Sequence, residues 1–320
     1  MKSHENWSIK KWSEMFSELY SQADSKRTPE QMWIAVMAHT SSIGENIRKV
    51  AFKELLNSAA HTFCWLCSFV NKCNTFQNDI FSINENLSEI VSLKYPMVCG
   101  HCISDICQCN PEKMDARKNK SALYQELFKR RKDILKSVKT YSFKTWKEIF
   151  RRIYSGRVHI QTLESIGFHF LEEIGETAFC VRKLGQLRKV TDHPKTEIDL
   201  DFLNELSTVK GIVENYDYNK NLVKEIDYSS TEPKMLKARV VEAKMGLIGE
   251  IGDSFSWFCT ILNKLDSISK SIFNRPERHP EFPKLDEVLT NKYFGVDDNP
   301  RCPHCQRKPC ECTFYIDTNT

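Results

Sequence analysis

Residues 163–184 read LESIGFHFLEEIGETAFCVRKL, and their apolar pattern sets our expectation for the fold. Ile166, Phe170 and Ile174 recur at intervals of four, so they share one face of a helix. Similar patterns run along much of the chain, whereas hairpin dipeptides and long alternating strands are scarce. The sequence therefore predicts an all-α fold.

The same stretch carries a group of acids, Glu172-Glu173-Ile-Gly-Glu176. A second acidic pair, Glu250 and Asp253, is predicted to open another helix that continues to Leu265. Residues three apart share a helix face, so the members of each pair point the same way. Antiparallel packing of the two helices would bring four carboxylates together beside the core.

Such a carboxylate cluster predicts a bound cation, because like charges in a medium of low dielectric repel strongly. Ligation by carboxylate oxygens alone suits Mg²⁺ or Mn²⁺. A di-iron site would instead need histidines where Glu176 and Asp253 stand. The alternative interpretation is that the acids are solvated on exposed helix faces. Two pairs with the same Ile-Gly filling favour the metal site, with Glu173, Glu176, Glu250 and Asp253 as ligands.

These motifs resemble those of the MazG-like, all-α nucleoside triphosphate pyrophosphohydrolases, which carry E-E-x-x-E on one helix and E-x-x-D on the next. The resemblance covers about half of the chain. It implies Mg²⁺-dependent hydrolysis of a nucleoside or deoxynucleoside triphosphate to the monophosphate and pyrophosphate. It also implies catalytic roles for the four ligands, with Glu172 in a supporting or base role. The chain departs from the family in the long segment between Glu176 and Glu250, where the family usually has a short loop.

The cysteines reveal an internal repeat, because the spacing C-x2-C-x4-C-x-C occurs at residues 99–109 and again at 302–312. The similarity extends upstream, where LSEIVSLKY at 87–95 resembles LDEVLTNKY at 285–293. We predict two tandem MazG-like helical-bundle units, each followed by a small zinc-binding knuckle. Their expected bounds are 1–112 for the first unit, 113–140 for a linker helix and 141–320 for the second unit.

The first unit is degenerate at the acidic positions. Ser42, Ser58 and His61 stand where the second unit has Glu173, Glu250 and Asp253, and only Glu45, the equivalent of Glu176, is retained. We therefore expect one active site, in the second unit, with the first unit as its pseudo-dimer partner. An insertion at about 186–245 in the second unit is predicted to form loop and one or two helices.

Each cysteine group is predicted to hold a structural Zn²⁺ ion, since four thiolates complete a tetrahedral site. His101 and His304 lie between ligands and are alternatives to one cysteine each. A Zn(Cys)₄ centre carries two negative charges, so two centres cancel the formal net charge of +4. The charge thus argues against nucleic-acid binding. The predicted ligands are Cys99, Cys102, Cys107 and Cys109 in the first knuckle and Cys302, Cys305, Cys310 and Cys312 in the second.

Substrate contacts are predicted from aromatic, polar and cationic residues near the acidic positions. The residues proposed for the base are Trp33, His39, Ser58, His61, Trp65, His169 and Trp257. The residues proposed for the phosphates are Arg182 and Lys183. For the tryptophans, burial in the core is the competing interpretation, and for the two cations it is a solvated helix end.

The broader class follows from what the chain lacks. It has no apolar run long enough for a membrane span, and residues 1–12 carry no apolar signal core, so we expect a cytosolic protein. A homodimer is expected by analogy with the family. The alternative function is a non-catalytic zinc-knuckle module that binds nucleic acid or a protein partner. Retention of every carboxylate in the second unit favours the enzyme.

Overall fold

The computed structural model describes residues 4–75, 79–109, 120–158, 160–191, 200–218, 232–272, 283–295 and 297–312. These residues lie in helices and the loops between them, and their β-structure consists of two isolated bridges. The predicted all-α character is therefore confirmed. None of the described helices combines the length and the apolar character that a membrane span requires.

The helices are numbered in chain order. Their bounds are α1 Ile9–Ser25, α2 Pro29–Arg48, α3 Phe52–Thr75, α4 Leu87–Lys94, α5 Lys120–Val138, α6 Phe143–Ile153, α7 Ser155–Val158, α8 Leu163–Thr191, α9 Leu200–Glu205, α10 Val209–Tyr218, α11 Pro233–Ile272 and α12 Leu285–Tyr293.

The start of α2 shows how local sequence sets a helix boundary. Thr28 accepts a hydrogen bond from the backbone N–H of Gln31, and the Gln31 side chain accepts one from the backbone N–H of Thr28. Pro29 follows at the first helical position, where its missing N–H has no partner to lose. The capping box and the proline together set the start of α2 at Pro29.

Helices α8 and α11 pack antiparallel and form the centre of the C-terminal half. Near the middle of the pair, the Thr177 hydroxyl lies 3.2 Å from that of Ser254. Towards the end of α8, Lys183 Nζ lies 3.5 Å from a carboxylate oxygen of Glu242. Because the residue numbers run in opposite directions along this interface, the acidic segments of both helices face each other.

The prediction that Glu250 opens a helix is wrong, because α11 begins at Pro233 and Glu250 lies well inside it. The preceding turns are held by fully buried apolar side chains such as Leu236, Val240 and Leu247. The expected insertion therefore consists partly of extensions of the two flanking helices. Helices α9 and α10 lie between them, and residues 192–199 and 219–231 are outside the described part of the chain.

The α9–α10 segment is anchored to the loop that follows α3. The backbone N–H of Val209 donates to the carboxylate of Glu85. Buried Lys244, on α11, donates to the backbone carbonyls of Ser82 and Leu206, at 2.9 and 2.8 Å. One ammonium group thus ties the long helix to both neighbouring segments.

Each cysteine group contacts the opposite half of the molecule. The backbone N–H of Cys107 donates to the carbonyl of Ile153 at the end of α6, at 2.7 Å. The backbone N–H of Cys310 donates to the carbonyl of Leu19 in α1, also at 2.7 Å. Similarly, α4 packs against α11 and α12 packs against α3. Each half therefore covers the other with its last helix and its cysteine group.

Helix α5, Lys120–Val138, lies within the 113–140 range predicted for a linker helix, and residues 110–119 lie outside the described part of the chain. The Tyr124 hydroxyl of α5 reaches α11 beside Gly249. A Cβ atom at Gly249 would overlap that hydroxyl, whereas one at Gly175 in α8 would have no neighbour within 4 Å. Gly175, inside the acidic motif of α8, therefore tolerates a side chain, whereas Gly249, directly before Glu250, does not.

Alanine substitutions at these glycines are expected to act in opposite directions. Gly175→Ala should raise the free energy of unfolding by up to about 1 kcal/mol, because alanine favours the helix. Gly249→Ala should lower it by about 1–3 kcal/mol, because Tyr124 must move. Urea denaturation of both variants measures the difference. Equal destabilisation by both changes would contradict the packing of α5 on α11.

Candidate functional site

Three carboxylates converge where α8 faces α11. Glu173, Glu250 and Asp253 each offer an oxygen atom, and these atoms lie within 4.8 Å of one another. Glu173 and Glu250 are half-buried, whereas Asp253 is buried. A donor set of three carboxylates from two rigid helices fits a hard divalent cation such as Mg²⁺ or Mn²⁺.

The other two predicted acids lie at the edge of this group. Glu176 is exposed and is not among the three carboxylates that meet, although its charge contributes to the raised pKa of Glu173. Glu172 is exposed and lies 3.3 Å from Nδ1 of His169. The structure thus brings together three of the four predicted metal ligands, and a ligand role for Glu176 stays a prediction.

The electrostatics of the cluster favour a bound cation. Burial raises the pKa of Glu173 to about 9, and the charges of Asp253, Glu250 and Glu176 act in the same direction. Lys94 opposes them and does not outweigh them. A divalent cation among these oxygens would offset the mutual repulsion of the carboxylates, which adds to the effect of burial.

Lys94 reaches this site from α4 in the N-terminal half, although we did not predict it as a site residue from the sequence. Its ammonium group forms an ion pair with one oxygen of Asp253, and Tyr95 donates a hydrogen bond of 2.5 Å to the other. Lys94 is buried. Burial alone would lower the pKa of Lys94, but the adjacent Asp253 raises it above its usual value. A fixed positive charge therefore belongs to the acidic cluster.

One sequence pattern, a repeated dipeptide, could have indicated Lys94. The dipeptide Lys94-Tyr95 recurs as Lys292-Tyr293 at the end of α12. Both tyrosines are fully buried, and the Tyr154 hydroxyl donates to that of Tyr95 at 3.1 Å. The dipeptide by itself does not show which helix of the other half it contacts.

An aromatic stack lies one helical turn beyond Asp253. The ring of Trp257 is stacked on His169, with centroids 4.7 Å apart, and on Tyr154, with centroids 5.7 Å apart. Trp257 and His169 are neither buried nor fully solvated. Two of the residues predicted to contact a base therefore lie together beside the carboxylates.

A basic pocket lies along the same two helices, on the opposite side of the carboxylates. Its volume is about 220 Å³. Arg182 and Lys183 lie over the exposed ring of Phe179, at 5.2 and 4.8 Å from its centroid. The pocket is lined by Phe179, Arg182, Lys183, Gln186, Leu187, Arg239 and Glu242. The two predicted phosphate-contacting cations thus share one pocket.

Among the predicted substrate residues of the N-terminal half, Trp33 is buried, and its indole N–H donates to the backbone carbonyl of Ile174 in α8, at 3.3 Å. In the described part of the chain, the others lie apart from the three carboxylates. Ser58 accepts a hydrogen bond of 3.1 Å from Asn46. His61 contacts Lys292 of α12, and the Arg27 guanidinium lies 4.6 Å over the ring of Trp65. None of these contacts involves the three carboxylates of α8 and α11.

The geometry of both cysteine groups fits zinc. All four sulfur atoms of each group lie within 4.8 Å of one another. The Cys99–Cys109 and Cys302–Cys312 sulfurs are 3.8 and 3.7 Å apart. Zn–S bonds of about 2.3 Å place the sulfurs of a tetrahedral site about 3.8 Å apart. The four cysteines of each group suffice for a site without His101 or His304.

Compared with models of known families, with curated proteins and with solved structures, the chain shows no match.

Proposed function

We propose that the protein hydrolyses a nucleoside or deoxynucleoside triphosphate to the monophosphate and pyrophosphate. The observation that carries this proposal is the convergence of Glu173, Glu250 and Asp253 between α8 and α11. The order of the neighbouring features also supports it. An aromatic stack, a carboxylate cluster and a basic pocket follow one another along α8 and α11, as base, reacting phosphate and leaving pyrophosphate do in a triphosphate.

In this proposal each group has a defined task. Glu173 and Glu250 hold the divalent cation, which would orient the triphosphate and activate a water molecule. Lys94 and Tyr95 fix the orientation of Asp253. Trp257 offers a stacking surface for the base. Arg182 and Lys183 would contact the departing pyrophosphate.

The assignment to two MazG-like units draws support from contacts that recur at equivalent positions. Ser8 and Ser142, which correspond in the two predicted units, form an antiparallel bridge with each other. We assign the active site to the C-terminal unit, because the N-terminal unit has Ser42 and Ser58 in place of ligands. On this interpretation the N-terminal half supplies Lys94 in place of a second subunit.

The Glu250→Gln variant tests the proposal. We expect it to lower pyrophosphate release by at least about 100-fold, because replacing a metal ligand is more damaging than the 10–100-fold loss typical of an outer-shell change. The assay measures pyrophosphate and monophosphate from a panel of ribo- and deoxyribonucleoside triphosphates with Mg²⁺. The panel also identifies the preferred base and sugar.

The matched control is Glu45→Gln, at the position equivalent to Glu176 in the degenerate half. Glu45 is exposed and pairs with Lys49 at 2.5 Å, so its loss should leave the rate unchanged within about twofold. Absence of turnover by the folded, zinc-loaded wild type across the whole panel would refute the proposal. The alternative of a non-catalytic binding module would then take its place.

A further inference from the structure

The position equivalent to Asp253 in the N-terminal half is His61, and its surroundings are opposite in charge. Nε2 of His61 lies 2.5 Å from the ammonium group of Lys292. Lys292 lies in the last turn of α12, as Lys94 does in α4, and each lysine reaches into the other half. The same arrangement thus pairs lysine with aspartate in one half and with histidine in the other.

Further basic groups surround His61. The ring of His39, from α2, is stacked on that of His61 with centroids 4.9 Å apart and planes 6° apart. His304, in the second cysteine group, is close enough to affect both histidines. Donor groups from α2, α3 and α12 therefore meet at one place, and all three are neither fully buried nor fully solvated.

No carboxylate replaces the acids that this half has lost. The equivalents of Glu173 and Glu250 are Ser42 and Ser58. The retained Glu45 is exposed and forms an ion pair with Lys49. Among the described residues of this half, a divalent cation accordingly finds no ligand set of the kind that α8 and α11 provide.

The titration behaviour of the group agrees with crowding of positive charge. Burial, Lys292, His39 and His304 together lower the pKa of His61 to about 3. Burial, Lys292 and His304 also lower the pKa of His39, and burial lowers that of Lys292. The charged groups that act on the two histidines are all basic, so a bound anion would favour their protonated forms.

We propose that His39, His61 and Lys292 form a binding site for a phosphate group that requires no divalent cation. A phosphate group offers several acceptor oxygens in a tetrahedral arrangement, which suits donors arriving from three different helices. On binding, Lys292 exchanges its contact with His61 for one with the anion, and His61 takes up a proton. This site is distinct from the carboxylate cluster, and the proposal stands whether or not that cluster is catalytic.

The test is a titration of the full-length, zinc-loaded protein in buffer without Mg²⁺. The ligands are inorganic phosphate, pyrophosphate and adenosine monophosphate, and the ring signals of ¹³C-labelled histidines are followed by NMR. We expect saturable shifts of the His39 and His61 signals, with the tightest of the three ligands identifying the source of the phosphate group. Lys292→Met should weaken binding at least about tenfold, because a charge-assisted hydrogen bond is lost.

His61→Asp is a second variant that should fold, since it recreates the lysine–aspartate pair of the other half. It is expected to abolish binding by pairing with Lys292. The proposal is overturned if none of the three ligands shifts these signals at about 10 mM, or if His61→Asp binds like the wild type. Because the titration involves no turnover, its failure and the failure of the proposed hydrolysis are distinguishable.

Discussion

We expect Lys94→Met to lower the free energy of unfolding by about 3–5 kcal/mol, because it leaves Asp253 buried without its counter-ion. Methionine retains most of the buried aliphatic chain, so the loss reports the charge more than the packing. Glu173 and Glu250 lie within reach of the same oxygens and add repulsion. Urea denaturation in buffer without Mg²⁺ measures the effect.

Two comparisons make this result interpretable. Lys292→Met removes the equivalent lysine, whose contact is His61 and not an acid, so it should lower the free energy of unfolding by no more than about 1 kcal/mol. Adding Asp253→Asn to Lys94→Met should recover part of the stability, because the unpaired charge is gone. Equal effects of the two lysine variants, with no recovery in the double variant, would show that the ion pair does not stabilise the fold.

The lysine variant also tests the carboxylates as a metal site. Without Lys94, a bound cation would have a larger share in reducing the repulsion among the three acids. We therefore expect Mg²⁺ or Mn²⁺ to raise the urea midpoint of Lys94→Met more than that of the wild type. An equal response of both proteins to the cation would argue against metal binding among Glu173, Glu250 and Asp253.

Removal of zinc is expected to have the largest effect on folding. Metal binding to such sites is worth about 10–16 kcal/mol in apparent free energy, comparable to the whole stability of a domain. Each cysteine group is also bonded to a helix of the opposite half, through the backbone of Cys107 or Cys310. A strong chelator should therefore unfold more than the knuckles themselves, and far-UV circular dichroism with thermal melting would measure the loss.

The zinc content of single-residue variants provides the control. The wild type should contain two zinc ions per chain, one for each cysteine group. Cys107→Ser should lose one of them, whereas Cys180→Ala should keep both because Cys180 lies on α8, outside both groups. A chain that contains no zinc and still melts cooperatively at the wild-type temperature would refute a structural role for the metal.

The first knuckle also connects zinc to the carboxylate cluster. Cys99 follows Lys94 and Tyr95 by a few residues, and a Cβ atom at Gly100 would collide with the backbone and side chain of Lys94. The knuckle therefore packs directly on the residue that pairs with Asp253. A zinc ion at the first knuckle would hold the ion pair in place, so Cys107→Ser should also weaken it.

Local sequence was sufficient for the elements whose signals lie within a few residues. Three features can be predicted from short-range spacing: the N-terminal cap of α2 at Thr28 and Pro29, helix α5, and the cysteine groups. Caps, helix faces and these metal ligands all depend on residues that are close in sequence. The acidic faces of α8 and α11 can also be predicted from the sequence, since residues three apart lie on the same side of a helix.

The start of α11 could not be predicted from local sequence. The repeat comparison suggested a connection before Glu250, but the apolar residues from Leu236 onward are buried against neighbouring helices and extend α11 back to Pro233. Whether an apolar run continues a helix or belongs to a loop depends on the surface available to bury it. That surface is a property of the folded molecule.

The partners of the acidic cluster were likewise decided by tertiary structure. Lys94 meets Asp253, and Lys292 meets His61, because each half of the chain lays its last helix on the other half. Residue types and their periodicity determine which side of each helix is apolar or charged. They do not determine which distant helix that side will face, since this depends on the combined packing of all the helices and on the cysteine groups that fix their ends.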